Sequence, residues 1–156
     1  MSIELLERPA AAAEEHVLVT LTVAEQLCGI PVLGVRDVLA EQPTTRIPLA
    51  PPEIAGSLNL RGRIVTAIDL RSRLRLPPAK PDAARMSVVV EQGGELYALL
   101  VDQVSEVMTL RVDAFEPTPP TLPAAWADCS TGIFRLEQRL LIVLDVARLL
   151  AITERS

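Results

Sequence analysis

Residues 59–71 read "NLRGRIVTAIDLR", and residues 135–147, "RLEQRLLIVLDVA", repeat their plan at a constant offset of 76. Leu60 meets Leu136, Arg63 meets Arg139 and Asp69 meets Asp145, with an apolar run before each aspartate. Extending the match to "GSLNLRGRIVTAIDLRSRLRL" over "GIFRLEQRLLIVLDVARLLAI" places Gly56 on Gly132. Upstream, an offset of 69 lays "VLVTLTVAEQLCGIPVLGVRDVL" on "MSVVVEQGGELYALLVDQVSEVM" without a gap, pairing Val19 with Val88, Val35 with Val104 and Asp37 with Glu106. The seven-residue jump between offsets falls in the proline-rich segment around 116–123, where a loop insertion is tolerated. The chain therefore reads as a tandem duplication of one small β unit.

Each unit offers about five short β-rich runs, which suits a small barrel that closes on its own edges. In the first, "HVLVTLTVAEQLCGIPV" is a hairpin turning at "AEQ". "VLGVRDVLAEQ" follows, and Val32, Val35, Val38 and Leu39 have the spacing of a short helical turn. Pro43, Pro48, Pro51 and Pro52 then break the chain into extended pieces. "GSLNLRG" and "RIVTAIDL" are strands joined at Gly62, and "RSRLRL" is a short helical end before "PPAKP". Residues 1–15 lack strand periodicity and are expected to form a flexible tail.

Aromatic residues make up only 3% of the 156, so the core must be aliphatic. The formal charge of −5 argues against nucleic acid as a partner. Arg61, Arg63, Arg71, Arg73 and Arg75 nonetheless cluster in 61–75, and a small nucleic-acid-binding barrel is the alternative reading they raise. Cys28 and Cys129 lack CxxC spacing and read as reduced and buried. No run reaches the ~18 apolar residues of a membrane helix, and the first residues carry glutamates where a signal peptide needs an uncharged run. A cytoplasmic protein without direct membrane insertion is expected.

Chemistry finds little foothold. Gly62 stands alone, far from the glycine pattern of a phosphate loop, and Lys80, the only lysine, is elsewhere. Asp69 with Asp145, and Asp37 with Glu106, are repeat-related couples expected on opposite sides of a pseudo-dyad, not acid–base pairs. Asp69 precedes a helix-like stretch, so capping is its expected task. His16 is the sole histidine and by default a surface residue, and Ser57, Ser72 and Ser130 have no base in sight. The chain reads as a non-enzyme with no catalytic residue, metal or cofactor. Arg61 is different: its repeat partner is Glu137, so the β unit itself does not require its charge.

At these residues the sequence resembles the CheW family, the adaptors of bacterial chemotaxis signalling. The matching pieces are "CGIPVLGVRDVL", "TTRIPLAPPEIAGSLNLRGRIVTAIDLRSRL", "LYALLVDQVSEVMTL" and "TGIFRLEQRLLIVLDVARLL", in family order over residues 16–152. The resemblance implies a mostly β fold of two intertwined five-stranded, SH3-like barrels related by a pseudo-two-fold, with short helices. By that reading the CheW-like domain spans 16–156, with the first barrel mainly 16–76, the second mainly 84–143 and a C-terminal helix at about 144–153. It implies a stand-alone adaptor bridging the cytoplasmic tip of methyl-accepting chemoreceptors to the regulatory domain of a CheA-type histidine kinase, recruited to membrane-associated arrays. Other CheW-like domains in array rings are further implied partners. Positions matching the family's receptor groove are Val35, Met86, Val104 and Val107, with Asp37 and Arg61 beside it, and those matching the kinase contact are Arg46, Ile47 and Gly56. The acid is Asp37 where the family usually has Glu, and its shorter reach works against a direct bridge to Arg61. Cys28 and Thr66 replace a usual aromatic and a usual proline, and Met86 is larger than the common valine, which implies altered packing or a different partner set.

Overall fold

The computed structural model describes residues 15–151. Of the expected tail, residues 1–14 lie outside the described residues, and Glu15 already opens the first strand. The first half contributes β1 (Glu15–Val23), β2 (Gln26–Pro31), β3 (Val35–Ala40), β4 (Ile54–Leu60), β5 (Arg63–Asp69) and the single-turn helix α1 (Leu70–Arg73). The second contributes β6 (Met86–Gln92), β7 (Glu95–Val101), β8 (Gln103–Arg111), β9 (Phe115–Glu116), α2 (Ala124–Cys129), β10 (Ser130–Arg135), β11 (Leu140–Leu144) and α3 (Val146–Leu149).

One sheet runs β8-β1-β2-β11-β10-β9 and the other β3-β6-β7-β5-β4. Exchanging each strand for its repeat counterpart converts one order into the other, β9 excepted, so the duplication is a pseudo-two-fold of the fold. Even β9 has a trace in the first repeat, an isolated bridge from Thr45 to Ser57 at the outer edge of β4. The hairpins cross over. β1–β2 leaves its own half to pair in parallel with β11, and β6–β7 pairs in parallel with β5. The expected division into 16–76 and 84–143 is thus exchanged at the hairpins: each barrel takes two strands from the other half of the chain.

Local chemistry explains the elements. Three hairpins turn through two residues with positive φ, namely Ala24–Glu25, Arg61–Gly62 and Gly93–Gly94. These are mirror-image turns whose twist matches that of paired strands. At the middle one Leu60 faces Arg63, and the Asn59 side chain accepts the Gly62 N–H at 2.9 Å. The helical turn expected from Val32, Val35, Val38 and Leu39 is confined to a 3-10 turn at Val32–Gly34, after which β3 pairs with β6. Helix spacing lost there because β-branched valines alternate inward and outward on a strand equally well. Asp69 does cap α1, accepting the Arg71 and Ser72 N–H groups, and its counterpart Asp145 caps α3 through Arg148. The C-terminal helix starts at Val146 and not at 144, because Leu144 still pairs with Ser130 and Asp145 is the cap, and residues 152 and 153 of the expected span lie outside the described residues.

Three cores result. The largest lies between the sheets and includes Leu21, Ile30, Ile68, Val90, Leu99, Ile142 and the chain's only tryptophan, Trp126. Each fully buried side chain of this kind contributes about 1.5–3 kcal/mol. Each sheet also curls round a small core of its own, Leu18, Leu27, Phe134, Leu141 and Val143 in one, Leu58, Val65, Ala67, Ala98 and Leu100 in the other. Cys28 and Cys129 are free thiols within the shared core, and burial pushes the Cys28 thiol far above the usual range. That leaves it inert as a nucleophile.

Polar ties bind the halves. Arg71 grips Asp102 with Nε and Nη2, at 3.0 and 2.7 Å, while the Ala24 N–H donates to the same carboxylate at 2.8 Å. The Arg71 hydrogen bond holds the Asp102 carboxyl below the ordinary range, with the Ala24 N–H adding to the effect.

Candidate partner-binding surfaces

The candidate residues fall on two surfaces. On the first, β3 and β8 are repeat counterparts, each the outer strand of its sheet. Both carry a register shift at the same place, between Val35 and Asp37 on β3 and opposite Val19 and Leu21 on β8. A bulge bends an edge strand and re-aims its side chains. Asp37 comes out of this bulge half-buried, its Oδ1 accepting the Val38 N–H at 2.9 Å.

Its other oxygen receives Arg61 Nη2 at 3.1 Å. The short acid does reach, contrary to the expectation from its length, with Arg61 set in the mirror-image turn and Asp37 beside the bulge of β3. Arg61 adopts φ of 54° there, a conformation that costs a residue with a Cβ about 1–2 kcal/mol. A surface pair of this exposure repays at most about 1 kcal/mol. Stability alone does not account for an arginine at this turn.

Val35, Met86 and Val104 all lie half-buried against the shared core. Met86 and Val104 touch directly, the Val104 N–H pointing at Met86 Sδ at 3.3 Å. Val107 lies three residues along β8, opposite Val19, and is 57% exposed. The structure therefore joins Met86 to Val104 and Asp37 to Arg61, with Val35 two residues before Asp37 on the same strand. Sequence reading passed over Leu33, 91% exposed in the 3-10 turn beside Val35. Its apolar type in a turn was the only available signal.

The second surface is the outer edge of β4. Thr45 and Ser57 exchange backbone hydrogen bonds at 2.7 and 2.8 Å, laying Arg46 and Ile47 along that edge. Both are exposed, and they line a depression of about 250 Å³ with Ile54 and Ala55. Gly56 is itself buried, so it does not offer a side for direct contact. With φ of 152°, it lets the Thr45 carbonyl come where a Cβ would collide with it. Gly132 does the same for Phe115 and Glu116 of β9. Leu49, fully exposed at positive φ on the tip of the neighbouring loop, is a residue the sequence did not single out.

The remaining candidates disperse. Arg61 goes to Asp37, Arg71 to Asp102, and Arg73 is buried against the carbonyls of Leu149 and Arg148. The arginines of 61–75 thus do not form one basic face of the kind a nucleic-acid barrel needs. His16 is not a plain surface residue: half-buried, it stacks on Phe115 at 4.9 Å and meets Phe134 edge-on at 5.5 Å.

A double barrel with apolar edge strands, a charged pair on a strained turn and a second exposed edge segment is built as a protein-interaction domain. Its family is specific: the description "CheW-like domain" matches residues 17–154, and the chain belongs to that family. A probable chemotaxis protein CheW from Rhizobium etli is 28% identical, over 88% of this chain and 88% of that protein. The chemotaxis protein CheW of Klebsiella aerogenes is 32% identical over 86% of this chain and 81% of its own. Among solved structures, the scaffolding protein TtCheW from Thermoanaerobacter tengcongensis superposes with a TM-score of 0.75 at 30% identity, covering 83% of this chain and 88% of its own.

Proposed function

We propose that this chain is a non-catalytic adaptor that couples chemoreceptors to a CheA-type histidine kinase in a cytoplasmic array held at the membrane. The observation that carries the reading is the Asp37–Arg61 bridge, set on a bulge and a strained turn at the edge of an apolar strip. A receptor's helical hairpin tip is matched by that strip, Val35, Met86, Val104 and Val107 supplying apolar contacts as in helix-in-groove recognition. Asp37 and Arg61 offer one acceptor and up to four further N–H donors to polar residues flanking the helix. The kinase regulatory domain is assigned to the β4 edge, where Arg46 and Ile47 make the contact and Gly56 positions them. Other CheW-like domains in array rings would use the same kinds of edge.

The deciding experiment is co-sedimentation with receptor cytoplasmic fragments and CheA, with kinase activity read in parallel. Arg61→Ala is expected to keep the circular dichroism spectrum and to cut receptor-coupled kinase activation several-fold. Unchanged activation removes Arg61 from the site. Gly56→Asp is expected to weaken binding of the isolated kinase regulatory domain in calorimetry while receptor binding persists.

A further inference from the structure

Arg73 and Arg75 take no part in either surface. Arg73 is 7% exposed, and its Nε and Nη2 donate to the carbonyls of Leu149 and Arg148 at 2.9 and 2.8 Å. Arg75 follows at φ of 60°, exposed, just past the end of α1. Among the described residues neither forms an ion pair with a carboxylate. Among the described residues Arg73 meets carbonyl oxygens and no carboxylate.

Both line an open cleft of about 500 Å³ between Arg73–Leu76 and Pro123–Trp126, with Asp128 at its border. That volume is within the range of ordinary ligand sites. Leu76, Pro123 and Ala124 make its apolar wall, with Leu74 and Trp126 nearly buried beneath them. None of Val35, Asp37, Arg61, Met86, Val104, Val107, Arg46, Ile47 or Gly56 lines it. The cleft carries a net charge of about +1 on a chain whose formal charge is −5, a local reversal of sign.

We infer that this cleft docks an extended acidic peptide segment of a partner protein, its carboxylate received by Arg75 beside the charge of Arg73 and its apolar side chains laid against Leu76, Pro123 and Ala124. Arginine receives a carboxylate through paired N–H donors, which suits it to this task. Asp128 selects against free phosphate and polyphosphate by repelling their dense negative charge. A peptide brings backbone N–H groups that Asp128 can accept. The acidic side chain and the N–H groups together satisfy both signs of charge in the cleft.

Trp126 is the only tryptophan and lies between the shared core and the floor of this cleft, so its emission responds to a ligand seated there. The full chain is titrated at low salt with the capped peptide acetyl-Leu-Glu-Leu-Glu-Leu-amide. A saturable shift in emission is expected, with affinity at least about tenfold weaker for Arg75→Glu and for the same peptide carrying Gln in place of Glu. Because Arg75 is exposed, the variant is expected to keep the native circular dichroism spectrum. Arg61→Ala is expected to bind the peptide as the unaltered chain does, which separates this inference from the receptor surface. Absence of a saturable shift, equal binding by Arg75→Glu, or an identical saturable shift with inorganic phosphate or acetate would overturn it.

Discussion

The two barrels share a plan but not a filling. Where one core holds Leu18, Phe134, Leu141 and Val143, the repeat-equivalent positions of the other hold Ser87, Leu58, Val65 and Ala67. The smaller barrel recovers part of the volume with Ala98 and Leu100, which stand opposite Gly29 and Pro31 in the repeat alignment. These substitutions are coupled. A Cβ on Gly29 would come within 2.9 Å of Leu18 Cδ1, so the large leucine needs the glycine, whereas Ser87 leaves room for Ala98. A β unit copied once can thus hold its backbone while pairs of side chains exchange bulk. The barrel with the fuller core also carries the better-formed edge, β9, and the aromatic trio of His16, Phe115 and Phe134. The leaner barrel presents the edge assigned here to the kinase.

The strongest test of that contrast truncates the same position in both repeats. Phe134→Ala is expected to cost about 3–5 kcal/mol in urea denaturation, and Leu58→Ala about 2–3 kcal/mol. Equal losses would mean that the two cores are equally well filled. Next in size, Gly29→Ala should destabilise by about 1–3 kcal/mol through overpacking against Leu18, while Ala98→Gly in the other barrel costs about 1–2 kcal/mol from backbone freedom and the loss of one buried methyl. Reversal of that order would break the coupling between bulk and glycine.

The smallest effect is on pH dependence. Since the Arg71 bond lowers the Asp102 pKa in the folded state, the stability it adds is fully present above the unfolded carboxyl value near 3.9 and is lost as pH falls through the lower folded value. After allowance for solvent screening it is worth about 1 kcal/mol at most. Asp102→Asn should lower the midpoint at pH 7 slightly and shrink the gap between variant and parent below pH 3. A constant gap from pH 7 to 2 would show that the bond adds no pH-linked stability.

Much of this fold can be read in the chain because strands leave a two-residue rhythm and a duplication leaves a constant offset. The equivalence of Asp69 and Asp145, and their capping role, follow from nothing more. Offsets say which residues correspond, however, and not which strands pair. The parallel contacts of β2 with β11 and β5 with β7 depend on how two units dock, a property of shape spread over some twenty side chains of the shared core. The valines of 32–39 misled because a short apolar run satisfies both helix and strand spacing. At the surfaces, the singular status of Arg61 was legible from Glu137 in the other copy. The reach of Asp37 was not, since it rests on a bulge and a turn that set backbone direction more than side-chain length does. Gly56 looked like a contact and is a spacer, a difference visible only once Thr45 is in place.

The exchange of hairpins has a mechanical meaning. Cutting the chain between 77 and 84 would separate the halves in sequence but not in space, since each fragment would still have two strands threaded into the other's sheet. There is no plane along which one barrel can swing while the other stands still. Displacing one barrel from the other would require strands to leave a sheet, so the strand order ties the two together as in a girder rather than a hinge.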